Sequence, residues 1–173
     1  TLRHIYGADR IWFERVGGPS SAAMPHANDI TSIAQLIDTS QKLDDARSAW
    51  LAAISDEAVR QPINYKNMKG EPYTNKLCDI LLHVCNHGIH HRAQAMAMLR
   101  QIGKPLVNLD YAFMRLERPT IRIADETTIT ALANRGMTLG TSLHEAPKLC
   151  AVTLRYLFSY SDWANDLIFA AAS

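Results

Sequence analysis

One stretch constrains this chain more than any other: "LLHVCNHGIHHRAQAMAMLRQIG", residues 81 to 103. It belongs to a run from about Lys76 to Ile102 with apolar residues at helical spacing, ended by Gly103 and Pro105. A seam in alternating steps of four and three runs from Ile80 through Val84, His87, His91, Gln94 and Met98. Four of the seven histidines (His83, His87, His90 and His91) fall within this helix, and two occupy consecutive seam positions where leucine is usual. At i and i+4, His87 and His91 share a face, about 40° apart on a helix of ~3.6 residues per turn. That spacing lets one helix offer two nitrogens to one metal ion.

Two ligands rarely hold an ion, so a third is expected from a facing helix. Residues 2–16, "LRHIYGADRIWFERV", have the spacing of a core helix, and His4 shares a face with Ala8 and Ile11. His26 lies in the Gly-, Pro- and Ser-rich loop "GGPSSAAMPHAND", and His144 in a connector. The same pattern also suits a hydrogen-bonded core layer of imidazoles, and spacing does not choose between the two. His83 continues the ladder one turn earlier, as a pocket residue or the nearest general base; His90 sits to the side. Tyr6 and Asp9 are the next candidates for a base, with Asp9 off the face and better read as a surface or inter-helix ion pair. Met96 and Met98 read as soft packing.

The remaining segments suggest an all-α four-helix bundle in one domain over residues 1–173. A second helix is expected over "SIAQLIDTSQKLDDARSAWLAAI", capped by Asp29 or Thr31, with Ile33, Leu36, Ile37, Leu43, Trp50 and Leu51 facing the core. "VRQPINYKNMKGEPYTNK" predicts a short hairpin or ordered loop centred on "NMKG". Residues 106–118 form a short trailing segment and 119–148 a connector. A last helix is expected from about Ala146 to Ala172, where Arg155, Asp162, Asn165 and Asp166 interrupt the apolar run and argue against a membrane span.

A net charge of +1 with no basic stripe gives no field for nucleic acid or anionic lipid. Cys78, Cys85 and Cys150 have no disulfide-framework spacing and suit a reducing cytoplasm. The opening residues are charged and helical in pattern, so no signal peptide is expected there.

"TLRHIYGADRIWFERV" and "GEPYTNKLCDILLHVCNHGIHHRAQ" together resemble the DinB/YfiT-like superfamily of small metal-binding four-helix bundles. The "LFSYSDWANDLIFAAA" segment, with Tyr160, Trp163, Ala164 and Asn165, is similar to that family's first helix. The resemblance implies a divalent metal on His4, His87 and His91, with residues 1–118 as the family's second to fourth helices and 149–173 as its first. Since that helix comes last, the order implies a circular permutation, a rearranged gene or a helix swapped to a partner chain. Met137 opens a segment that looks like an ordinary family N-terminus.

Relatives of this kind include thiol-dependent transferases and isomerases. The resemblance therefore implies a thiol S-transferase or isomerase acting on a small molecule, with a low-molecular-weight thiol as co-substrate, and a homodimer. A three-imidazole ion, Zn or Ni first and Fe, Co or Mn after them, would leave positions open for thiol or water. Hydrolysis, or binding without turnover, is the other reading. Trp163 and Asn165, with Tyr6, are expected to border the pocket; core packing and a helix–helix hydrogen bond are the alternative for the first two.

Overall fold

The computed structural model describes residues 1–17, 24, 29–117 and 150–173. The connector, His26, His144 and Met137 lie outside them. The described chain is mostly helical: α1 (Leu2–Gly17), α2 (Ile33–Ala53), α3 (Leu77–Gln101), the short α4 (Tyr111–Glu117) and α5 (Ala151–Ala172). One antiparallel hairpin, β1 (Pro62–Lys66) and β2 (Pro72–Lys76), leads straight into α3.

Local chemistry sets these boundaries. Ser32, rather than Asp29 or Thr31, caps α2. Its hydroxyl accepts from the Gln35 amide at 3.1 Å, while the Gln35 side chain accepts from the Thr31 amide at 3.0 Å. In the hairpin turn the Asn67 side-chain oxygen accepts from the Lys69 and Glu71 amides, and Gly70 supplies φ +82°. Gly103, at φ +71°, ends α3 as expected. The last helix starts at Ala151, with Cys150 as its N-cap residue and its first amide donating to Asp56 at 2.8 Å. Residues 146–149, where an earlier start was expected, are outside the described chain.

α1 and α2 run in the same direction. Arg3 near the start of α1 donates to the Ile30 carbonyl just before α2, and Phe13 meets Trp50 near their ends. α3 and α5 run the opposite way: α1 and α2 each pack against one of them, and α3 against α5. Thus α5 docks within its own chain, and Arg155 anchors it by donating to the carbonyls of Leu51, Ala52 and Ile54 at the end of α2.

The core has an apolar cluster at each end and a polar layer between. One gathers Leu51, Leu77, Leu81, Val84, Leu154 and Phe158 and another gathers Ile30, Leu36, Ala95, Ile168 and Phe169, while a small third cluster joins Met114 of α4 to Trp163 and Ala164 of α5. Between the two ends lie Asp9 of α1, Ser40, Asp44 and Arg47 of α2, Arg92 of α3, and Ser161 and Asn165 of α5, all buried.

This layer revises two sequence expectations. The buried line of α2 is Leu36, Ser40, Asp44, Arg47, Leu51, while Ile37 is exposed. On α3 the buried line passes through Gly88, Arg92, Ala95 and Leu99, so Gln94 and Met98 of the expected seam face outward. A seam stepped at 3.5 residues drifts by about 20° per heptad on a straight helix, which carries it from the core to the edge. His87 and His91 sit where it crosses that edge.

Candidate metal centre

α3 presents His87 and His91 half-buried on adjacent turns, and α1 brings His4 against them. The His4 ring centroid is 5.2 Å from that of His87 and 4.4 Å from that of His91. One ligand nitrogen from each of the three lies within 4.8 Å of the others. The facing Nε2 atoms of His87 and His91 are 3.1 Å apart. Nitrogens sharing one tetrahedral ion stand roughly 3.3 Å apart, so the α3 pair is already close to that spacing. The start of α1 is tied down by the Arg3–Ile30 bond and by the Thr1 hydroxyl, which donates to Met98 Sδ at 3.3 Å on α3.

The electrostatics suit a cation in place of protons. Burial, followed by repulsion from His91, His4, His83 and His90, pushes His87 down to about 4. Burial and then His91 and the N-terminal amine lower His4. Imidazoles that resist protonation keep their lone pairs for a metal.

Gln94 is a residue that the sequence reading placed only on the seam. Its Oε1 is 2.8 Å from His91 Nδ1, and its Nε2 is 3.0 Å from His90 Nε2. An Nδ1–H donated to Gln94 leaves His91 Nε2 bare and fixes the ring towards His87. The signal available in the sequence was a glutamine three residues after the second histidine. Gln94→Leu should weaken metal binding about 10- to 100-fold with the fold intact, measured by competition with a chromogenic chelator. An unchanged affinity would leave Gln94 as a surface residue.

The other predicted site residues divide by location. His83 is exposed, its ring 5.7 Å from that of His87 and 5.2 Å from Trp12, beside the centre. His90 lies at 5.0 Å from His91, on its outer side. Tyr6 packs with Ile30, Leu36, Ala95 and Phe169, and Trp163 with Met114 and Ala164. Asn165 is buried and accepts from Arg92 Nη1 at 3.1 Å. In place of the expected pocket edge, Asn165 makes the helix–helix hydrogen bond and Trp163 joins the packing around α4. Asp9 is likewise off the surface, in a buried inter-helix ion pair with Arg47 at 3.7 Å.

Arg92 was missed altogether. It is 2% exposed, donates to Asn165 and to Ser161 at 3.4 Å, and lies 5.5 Å from the Tyr160 ring centroid. Gly88 makes room for it, since a Cβ there would stand 2.8 Å from Arg92 Nη1. Being next to His91, this arginine holds the metal helix against α5.

The fold and site define a largely helical protein whose three clustered imidazoles fit a divalent metal ion. The chain belongs to the DinB family: that family's model matches residues 1–125. Protein DinB of Bacillus subtilis (strain 168) is similar to it, with 26% identity over 117 residues, covering 64% of this chain and 67% of that protein. No solved structure matches the chain. None of the described helices is long and apolar enough to cross a membrane.

Proposed function

We propose that the chain is a metal-dependent thiol transferase or isomerase acting on a small molecule, built as a four-helix bundle in which α5 takes the place of the family's first helix. The observation that carries this reading is the convergence of three imidazoles from two helices at an edge that opens to solvent: His4 is exposed, and His87 and His91 are half-buried. The bundle reading is supported by the packing of α5 against α2 and α3, although the family match stops at residue 125.

A divalent ion held there supplies a Lewis acid that favours thiolate over thiol near neutral pH. The chain supplies the rest. His87 and His91 are fixed by α3 and Gln94, and His4 closes the third side. His83, one turn from His87, accepts the thiol proton. The sulfur lone pair then forms the C–S bond with the second substrate, the leaving group departs with its electron pair, and His83 returns the proton to it.

The test is cobalt(II) loading followed by titration with cysteine or glutathione. A near-ultraviolet sulfur-to-cobalt absorption in wild type, absent in His91→Ala, is expected. Faster thiol consumption with a soluble electrophile should accompany it and fall in His83→Ala. Cobalt binding with no thiol absorption would end the transferase reading, and turnover of an ester under those conditions would point to hydrolysis.

A further inference from the structure

Asp79, His83, His87 and His91 follow one another at four-residue steps along α3. Each step rotates the position by only about 40°, so the four form one slowly turning stripe. Its upper half is the candidate metal centre. Its lower half lines a separate feature, a cleft of about 240 Å³ bounded by Trp12 of α1, Tyr65 and Asn75 of the hairpin, and Asp79, Ile80 and His83 of α3.

We propose that this cleft is a recognition subsite for an amine-bearing end of the substrate, with Asp79 as counter-ion and Trp12 and Tyr65 as walls. The proposal rests on the metal-centre reading only in orienting the other end of the substrate towards His87.

Three features set the ligand class. First, the lining carries one carboxylate and no lysine or arginine, so its fixed charge selects a cation. Second, its walls are aromatic: the Trp12 and Tyr65 rings meet edge-on at 5.2 Å, and Trp12 meets His83 at the same separation. Such rings favour a flat apolar group packed between them, beside the charged end of the ligand. Third, the walls are held in place. Tyr65 donates to Asn75 at 2.9 Å across the hairpin, and the buried Arg15 guanidinium lies 4.7 Å from Trp12 and 5.6 Å from Tyr65.

Arg15 also fixes the position of the amine. Its charge behind the rings opposes a second cation there, so the ammonium belongs at the Asp79 end. Eight residues of helix separate Asp79 from His87, about 12 Å at ~1.5 Å per residue. The substrate class is therefore an elongated small molecule with an amine at one end and its reacting group about 12 Å away. The cleft is smaller than the roughly 300–1,000 Å³ of pockets that enclose whole drug-sized ligands, as suits a subsite for part of a molecule.

The experiment uses metal-free protein, with phenethylammonium as probe and 2-phenylethanol as its uncharged isostere. Binding is followed through the three tryptophan indole N–H signals, with Trp12 assigned by Trp12→Phe. Phenethylammonium should shift the Trp12 signal saturably, leave Trp50 and Trp163 unmoved, and bind about tenfold tighter than the alcohol. Asp79→Asn should erase that preference. Equal affinity for amine and alcohol, a shift at another tryptophan, or no saturable shift would overturn the proposal. The amine–alcohol comparison on wild type does not depend on Asp79→Asn, so it stands even if that variant folds poorly. His91→Ala should keep the amine preference while losing metal. Amine binding without metal binding would remove the proposed function alone, and the converse would remove the subsite alone.

Discussion

Substituting His87 with alanine should reduce bound transition metal from near-stoichiometric to background, a loss of more than about a hundredfold in affinity. Removing a partner that only orients a ligand costs about 10- to 100-fold, and deleting a ligand costs more. Each of the three rings meets the other two, so removing His87 breaks two of the three contacts. Without it, one imidazole on each of two helices would remain. The substitution should leave the metal-free fold intact, because it removes a half-buried imidazole that its neighbours already oppose charging. His91→Ala should behave in the same way, whereas His26→Ala and His144→Ala should keep full metal content. The measurement is elemental mass spectrometry on protein purified without a histidine tag, with circular dichroism as the folding control. Equal metal in all four variants would end the assignment of the site.

The parts legible in the sequence were those set by short spacings. The His87–His91 interval, the turn at Gly70, the stop at Gly103 and the apolar face that carries His4 are local patterns with local causes. The buried polar layer had no such signature. Asp44 and Arg47, three residues apart, look like a surface helix pair. Asp162 looks like an interruption in an apolar helix, and Arg92 like the solvent side of the histidine helix. Their meaning depends on partners far away in sequence: Arg47 and Asp162 are 115 residues apart, and Arg92 and Asn165 are 73. A usable trace did exist. Read in steps of four, four, three and four, α2 gives Leu36, Ser40, Asp44, Arg47 and Leu51, a core line with a polar middle. Gly88 four residues before Arg92, and Ser161 four before Asn165, match it on α3 and α5.

That layer also explains how the site is aligned. Apolar clusters at the two ends would tolerate helices sliding past each other, whereas a charged layer is satisfied at one register only. Arg47 joins α2 to α1 through Asp9 and to α5 through Asp162. Arg92 joins α3 to α5. The same contacts set the heights of His4 on α1 and of His87 and His91 on α3.

Arg47→Met should therefore destabilise the metal-free protein by about 3–5 kcal/mol at pH 8, the range for a buried ion network that loses one partner. Arg47 is 2% exposed, lies 2.5 Å from Asp44 Oδ1 and bonds Asp162 as well. Burial opposes its charge, but as the shared cation of three carboxylates it is held charged, its pKa raised above the ordinary arginine value. One arginine does not offset their burial. Asp44 is pushed up to about 7 and Asp9 and Asp162 to about 6, mainly by desolvation. All three bind protons more readily folded than unfolded, so their ionisation removes stability as pH rises through these values. These carboxylates should accordingly contribute on the order of 1 kcal/mol of added stability from pH 8 to about 6.5. The lowered His87 and His4 act in the opposite sense, offsetting part of this gain as the pH nears their ordinary value of 6.5 and more of it below, since their unfolded forms take up protons first. In Arg47→Met the carboxylates lose their cation and their pKa values rise further, so the defect should shrink markedly at pH 6.5. Urea unfolding of both proteins at the two pH values measures the effect. A loss below about 1 kcal/mol, or one unchanged by pH, would mean that this layer is neither as buried nor as charged as its geometry requires.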